Sequence, residues 1–215
     1  MKLPLILLFC AAALTNVISC ALGRRLPRSI AKAFLMPLLL AIYLVSARRM
    51  QPWVIPALLL GWAGDLFLIA PKQGLTRTLG IASFLIGHVC WFIAMVRQFP
   101  IAPALWGWIV MPLAFLSAAG LVYRSLWPLL PREMKATGAV YIGALGIMGA
   151  AAGLVLLSGC RGGWALLAGE ILFLISDTIL CRQFFTVGDP CPRYDTAVMS
   201  TYILAQTLLA VGFCI

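Results

Sequence analysis

Residues 163–184 read GWALLAGEILFLISDTILCRQF, an apolar run that holds Glu170 and Asp177 and reaches its first basic side chain only at Arg182. The run is long enough to cross a bilayer core, which takes about 20 residues of helix. At that depth an ionisable side chain costs roughly 2.5–3.5 kcal/mol on insertion scales, so two in one span demand a reason. The rest of the chain repeats the pattern. Apolar blocks also cover Leu3–Leu22, Ile30–Val45, Trp53–Ala70, Thr78–Val96, Ala104–Val122, Ala136–Leu157 and Asp195–Ile215. Together they predict an all-α, polytopic membrane helix bundle with eight transmembrane helices, forming one integral-membrane domain over residues 1–215.

Composition agrees with this reading. Of the 215 residues 63% are hydrophobic and 10% charged, and the mean hydropathy is +1.05. A soluble domain is nearer half apolar and a quarter charged, so a water-soluble enzyme is excluded, as are disorder and fibrous repeats. Pro27, Pro52, Pro71, Pro100, Pro128, Pro131, Pro190 and Pro192 fall in or beside the connections, where proline does little harm. These loops are too short for a soluble catalytic domain, so any chemistry lies among the helices or at their mouths. The net charge of +10 would suggest nucleic acid in a soluble protein. Here the basic residues sit at block ends and no nucleic-acid partner is expected.

Those basic residues set an orientation. Lys2, Arg48, Arg49, Arg97 and Arg161 fall on one side. Arg24, Arg25, Arg28, Lys32, Lys72, Arg77, Arg124, Arg132, Lys135, Arg182 and Arg193 fall on the other. The positive-inside rule then predicts both termini on the outer side, in a bacterial cytoplasmic (inner) membrane. A rival reading makes the first block a signal peptide ending at Cys20, but only Lys2 precedes the run while Arg24, Arg25 and Arg28 follow it. The seven cysteines form no C-x-x-C pair; Cys160 and Cys214 should both lie near the outer face, where a bridge is possible but not expected.

Three of the six acidic residues, Asp65, Glu170 and Asp177, lie inside spans, as does the single histidine, His88. Such groups are read first as a functional site facing the bundle interior, and otherwise as structural hydrogen-bond partners between helices. A helical rise of about 1.5 Å per residue puts Asp65 roughly 7 Å from the inner end of its span, Asp177 and Tyr202 about 10 Å, and His88 about 15 Å. One layer in the cytoplasmic half can hold all four. Gln206 is an i,i+4 neighbour of Tyr202, and Glu170 lies two turns outward of Asp177 on the same face. Gly64-Asp65 and Ser176-Asp177, followed by Lys72-Gln73 and Arg182-Gln183, form a faint internal echo. It suits two four-helix halves, about 1–100 and 101–215.

Four segments resemble the YhhN family of eight-span membrane proteins, whose characterised members are lysoplasmalogenases. They are Gly64-Asp65-Leu66-Phe67-Leu68, Gly80 through His88, Gly169 through Thr178, and Ser200-Thr201-Tyr202-Ile203-Leu204-Ala205-Gln206. Family members often carry a lysine directly before the proline of span 2, where this chain has Met36-Pro37 with Lys32 one turn earlier. They commonly have a small residue in place of Glu170. The resemblance implies hydrolysis of the vinyl-ether bond of a lysoplasmalogen to a fatty aldehyde and glycerophospho-ethanolamine or -choline. Asp65, Asp177, His88 and Tyr202 are the expected catalytic residues, and Lys32, Gln206 and Arg124 the expected contacts to a lysophospholipid substrate. Two carboxyls suit an oxocarbenium-forming reaction, one as acid and one as anion. No cofactor is expected. The competing readings are a proton-coupled transporter, a lipid-binding protein, and a hydrolase holding Zn²⁺ between Asp65, His88 and Asp177.

Overall fold

The structure, a computed structural model, describes residues 2–69, 74–98, 102–187 and 191–215. Ala70, Pro71, Lys72, Gln73, Pro100 and Pro190 lie outside the described residues, and with them the first half of the basic-glutamine echo. Eight α-helices and no strand are found among the described residues: α1 (Lys2–Ala21), α2 (Arg25–Ser46), α3 (Val54–Ile69), α4 (Gly74–Val96), α5 (Gly107–Leu126), α6 (Arg132–Leu157), α7 (Gly163–Arg182) and α8 (Pro192–Gly212). A π-helical turn, Gln183–Val187, continues α7.

Each helix covers one of the expected apolar blocks, with its edges moved by chemistry that hydropathy does not weigh. Helix α2 starts at Arg25 rather than Ile30, because basic side chains at a helix end keep their heads polar while their stems pack. Helix α6 starts at Arg132, just after Pro131, and α8 starts with Pro192 in its first turn, where a missing N–H costs nothing. Helix α5 begins later than expected, at Gly107, and runs one turn longer, to Leu126.

Neighbours in sequence pack as hairpins: α1 on α2, α3 on α4, α5 on α6 and α7 on α8. Contacts of α4 with α6, and of α1 and α2 with α8, join them into one bundle. Leu35, Met36, Leu58, Trp91, Met148 and Phe173 fill the centre. The outer faces carry exposed Leu7, Leu14, Ile109, Leu113, Leu121 and Val140, an apolar coat that suits lipid rather than water. Six helices, counting α7 with its π turn, are long and apolar enough to span a membrane by length and composition, and α3 is a shorter apolar helix. The chain is a multi-pass membrane protein. Asp195, Tyr202 and Gln206 of α8 are buried, so this helix turns them to the bundle instead of to lipid. All seven cysteines are free, Cys160 and Cys214 included.

Between lipid-facing helices the apolar drive for association is weak, so close backbone approach at small residues takes over. Where α7 and α8 meet, a Cβ built on Gly162 collides with the Gly212 carbonyl, and one on Gly169 comes 3.0 Å from the Ala205 carbonyl oxygen. Gly120 on α5, by contrast, has nothing within 4 Å. We therefore expect Gly162→Ala to lower stability in detergent by about 1–3 kcal/mol. Gly120→Ala should gain up to about 1 kcal/mol from helix propensity. Equal unfolding profiles for the two variants would show that the α7–α8 contact is not tight.

Candidate active site

The spans bring the buried polar residues to one cavity of about 140 Å³, with Asp65, Asp177 and Tyr202 in its wall. Asp65 projects from α3 directly after Gly64, and a Cβ on Gly64 would sit 2.7 Å from the Phe84 ring of α4. The glycine thus lets α4 press close to α3 beside the carboxylate. Asp65 is 1% exposed and fully engaged. Its Oδ1 lies 3.1 Å from Nζ of Lys32 on α2, and Tyr202 of α8 donates its hydroxyl to Oδ2 at 2.8 Å. Trp62 donates its indole N–H to the Ala33 carbonyl at 2.8 Å, which ties α3 to α2 one residue from Lys32. Gln206, one turn along α8, is bonded through its side chain to Tyr202, and both reach toward the bare Cα of Gly61.

Asp177 of α7 is held differently. Tyr141 of α6 donates its hydroxyl to Asp177 Oδ2 at 2.6 Å, and the same oxygen of Tyr141 lies 3.2 Å from His88 Nε2. His88 is 2% exposed, stands behind Tyr141 and comes within 3.9 Å of the Asp177 carboxylate. No lysine or arginine pairs with Asp177 among the described residues. Phe173 links the two arms: its ring meets His88 edge-on at 4.6 Å and Tyr202 edge-on at 5.7 Å. Ser176 donates to the Val198 carbonyl at 3.2 Å and so fixes α7 against α8 one residue before Asp177.

Where α2, the π turn and α8 meet, a second network closes the bundle. Arg28 Nη1 donates to Asp195 Oδ2 at 2.6 Å, and Gln183 of the π turn donates to Oδ1 at 2.8 Å. Asn16 of α1, fully buried, donates to the Arg28 carbonyl at 2.9 Å, so α1 is part of the same construction.

Of the residues expected from sequence, Lys32, Asp65, His88, Asp177, Tyr202 and Gln206 come together here. Arg124 does not: it is exposed near the end of α5 and is absent from the cavity wall. Glu170 is 2% exposed, two turns from Asp177, and neither carboxyl oxygen has a hydrogen-bond partner among the described residues. Tyr141 and Asp195 were not expected at the site. Tyr141 carried a usable signal, because it lies mid-helix in α6 whereas membrane tyrosines favour the interfaces. No group of three or more His, Cys, Asp or Glu side chains is gathered to hold a metal ion among the described residues.

The YhhN family model matches residues 27–213. The chain belongs to the YhhN family. Among the curated relatives of this YhhN chain, lysoplasmalogenase TMEM86A of Homo sapiens is 33% identical over 154 residues, covering 69% of this chain and 60% of the relative. A lysoplasmalogenase of Mycobacterium tuberculosis (strain CDC 1551 / Oshkosh) is 28% identical over 166 residues, covering 77% of this chain and 61% of the relative. The match thus extends over 60–61% of these relatives' own length. No solved structure matches the chain.

The Lys32–Asp65 pair gives the site a direct energetic test. Removing one partner of a buried ion pair leaves an uncompensated charge and costs about 3–5 kcal/mol. Lys32→Met alone should therefore unfold at markedly lower temperature, and Lys32→Met with Asp65→Asn should recover most of the loss. Additive losses in the double variant would show that the two side chains are not coupled.

Proposed function

We propose that this YhhN protein hydrolyses the vinyl-ether bond of a lysoplasmalogen, a lysoplasmenyl-ethanolamine or -choline. The relatives' named activity supports the reaction class, and the unlike environments of Asp65 and Asp177 in one cavity carry the mechanism. Asp65, beside an ammonium group and accepting from a phenol, is the ionised carboxylate. Asp177, whose neighbours are a phenol and an imidazole, is the carboxyl that holds the proton.

The reaction then runs in three steps. The Asp177 carboxyl protonates the β-carbon of the vinyl ether, and the α-carbon becomes an oxocarbenium ion. The Asp65 carboxylate stabilises that cation and takes a proton from the water that attacks it, giving a hemiacetal. The hemiacetal collapses as its hydroxyl proton passes to the Asp177 carboxylate and the Asp65 carboxyl protonates the departing glycerol oxygen, releasing fatty aldehyde and glycerophospho-ethanolamine or -choline. One water is consumed and no redox partner is needed. His88, neutral, donates Nε2–H to the Tyr141 oxygen while Tyr141 donates to Asp177, so the pair orients the acid and forms a route for its proton to be restored. Tyr202, bonded to Asp65, keeps that carboxylate aimed into the cavity.

The same reading gives the bundle its setting. All eight helices cross a bacterial inner membrane with both termini outside, as one domain of two four-helix halves. Asp65 on α3 and Asp177 on α7 then occupy matching third helices. Single-cysteine labelling with a membrane-impermeant maleimide, in a cysteine-free background, should modify Arg48→Cys and Arg161→Cys from outside and leave Arg132→Cys untouched until lysis. The opposite pattern would invert the topology.

Aldehyde release from lysoplasmenylethanolamine by purified protein in detergent, with EDTA in a parallel sample, tests the chemistry. Wild type should turn over in both, and Asp65→Asn and Asp177→Asn should each lose about 10²–10⁴-fold in kcat. Turnover abolished by EDTA would assign these residues to a metal site instead. No aldehyde from folded wild type would remove the vinyl ether as substrate.

A further inference from the structure

Among the described residues three cations line the cavity: Arg28 and Lys32 from α2, and Arg77 from α4. Two are already committed. Arg28 is paired to Asp195 at 2.6 Å and Lys32 to Asp65 at 3.1 Å, so each charge is met inside the fold. Arg77 has no carboxylate partner among the described residues. Its Nε is buried with no hydrogen-bond partner among the described residues, and its guanidinium carbon lies 5.8 Å from the centroid of the Phe184 ring. Phe184 stands on the π-helical turn that continues α7, a local widening of the helix that recurs at functional sites. A ring beside a guanidinium steadies its plane and leaves the N–H edge free to donate, the geometry that grips an oxyanion with two parallel hydrogen bonds. The α5–α6 side of the same cavity offers Leu126, Leu130 and Ile142, which are apolar. A ligand complementary to these walls has one anionic group and one hydrocarbon chain.

We propose that Arg77, steadied by Phe184, binds the phosphodiester of a lysophospholipid and makes this anion the specificity element of the cavity. The proposal rests on the ether-hydrolase reading for its substrate. It deepens that reading by assigning the phosphate to a residue outside the acid–base machinery. The hydrocarbon chain then lies along the α5–α6 wall, and the ether carbon between them comes to Asp65 and Asp177.

The test uses two non-cleavable probes, 1-O-alkyl-glycerophosphoethanolamine and the matching 1-O-alkylglycerol that lacks phosphate. Each is titrated calorimetrically into the purified full-length protein in detergent. Wild type should bind the phosphate-bearing probe roughly 10- to 100-fold more tightly. Arg77→Gln should erase most of that preference without weakening alkylglycerol binding, and Arg77→Lys should restore part of it. In turnover of lysoplasmenylethanolamine, Arg77→Gln should raise KM by a similar factor and leave kcat within about threefold. Both variants are first shown to unfold at the wild-type temperature; a large loss there would assign Arg77 to the fold and overturn the proposal. A preference that persists in Arg77→Gln, or none in wild type, overturns it as well. Displacement of the probe by inorganic phosphate alone at comparable affinity would make this a free-phosphate site, not a lipid one. Phosphate-dependent probe binding without aldehyde release would keep the subsite and reject the ether hydrolase; aldehyde release without a phosphate preference would do the reverse.

Discussion

The contact between the Lys32 ammonium and the Asp65 carboxylate, 3.1 Å apart with almost no exposure on the acid, sets the terms for everything around it. Neither charge is tolerable alone in a low-dielectric bundle, and together they still need their remaining lone pairs and protons met. Tyr202 supplies the second bond to the carboxylate, Gln206 supports Tyr202, and Trp62 fixes the α2–α3 spacing on which the pair depends. Three helices are thereby placed by one ion pair. The remainder of the bundle closes around them.

Such contacts require helices that approach closely, and small residues allow it. Gly61, Gly64 and Gly87 sit on the α3–α4 and α3–α8 faces, where added methyl groups would meet Gln206, Phe84 or the backbone of α3. This gives a physical reason for the small residue before three of the polar residues at the site. Gly64 precedes Asp65, Gly87 precedes His88 and Ser176 precedes Asp177. The small residue admits the neighbouring helix, or bonds to it, and the next residue carries the polar group toward the cavity. The chain can afford these short polar seams because its outer surface is apolar and makes no demand on them.

Much of this was legible before any coordinates. A charge at lipid depth is costly enough to stand out, so Asp65, Asp177, Glu170 and His88 mark themselves, and helical rise alone brings four of the site residues to one depth. What the sequence hides is pairing across helices. Tyr141 is marked only by its mid-helix position, and its glycine and alanine neighbours do not say that it joins His88 to Asp177. Arg77 and Arg124 both lie near helix ends, and only the bundle's lateral arrangement puts the first in the cavity wall and leaves the second outside. Hydropathy also understates α8, whose Asp195, Tyr202 and Gln206 are buried between helices.

Phe173 shows its edges to His88 on one arm and to Tyr202 on the other, so a single ring is the party wall of both halves of the site. Substitutions on the two sides are therefore not independent. A smaller or displaced ring loosens the histidine and the tyrosine together, and a change that suits one arm is felt by the other. Under selection, a lineage of this chain has few single steps open toward a different ligand and must change the two sides in concert. The wall that aligns the site also narrows the routes by which it can be remade.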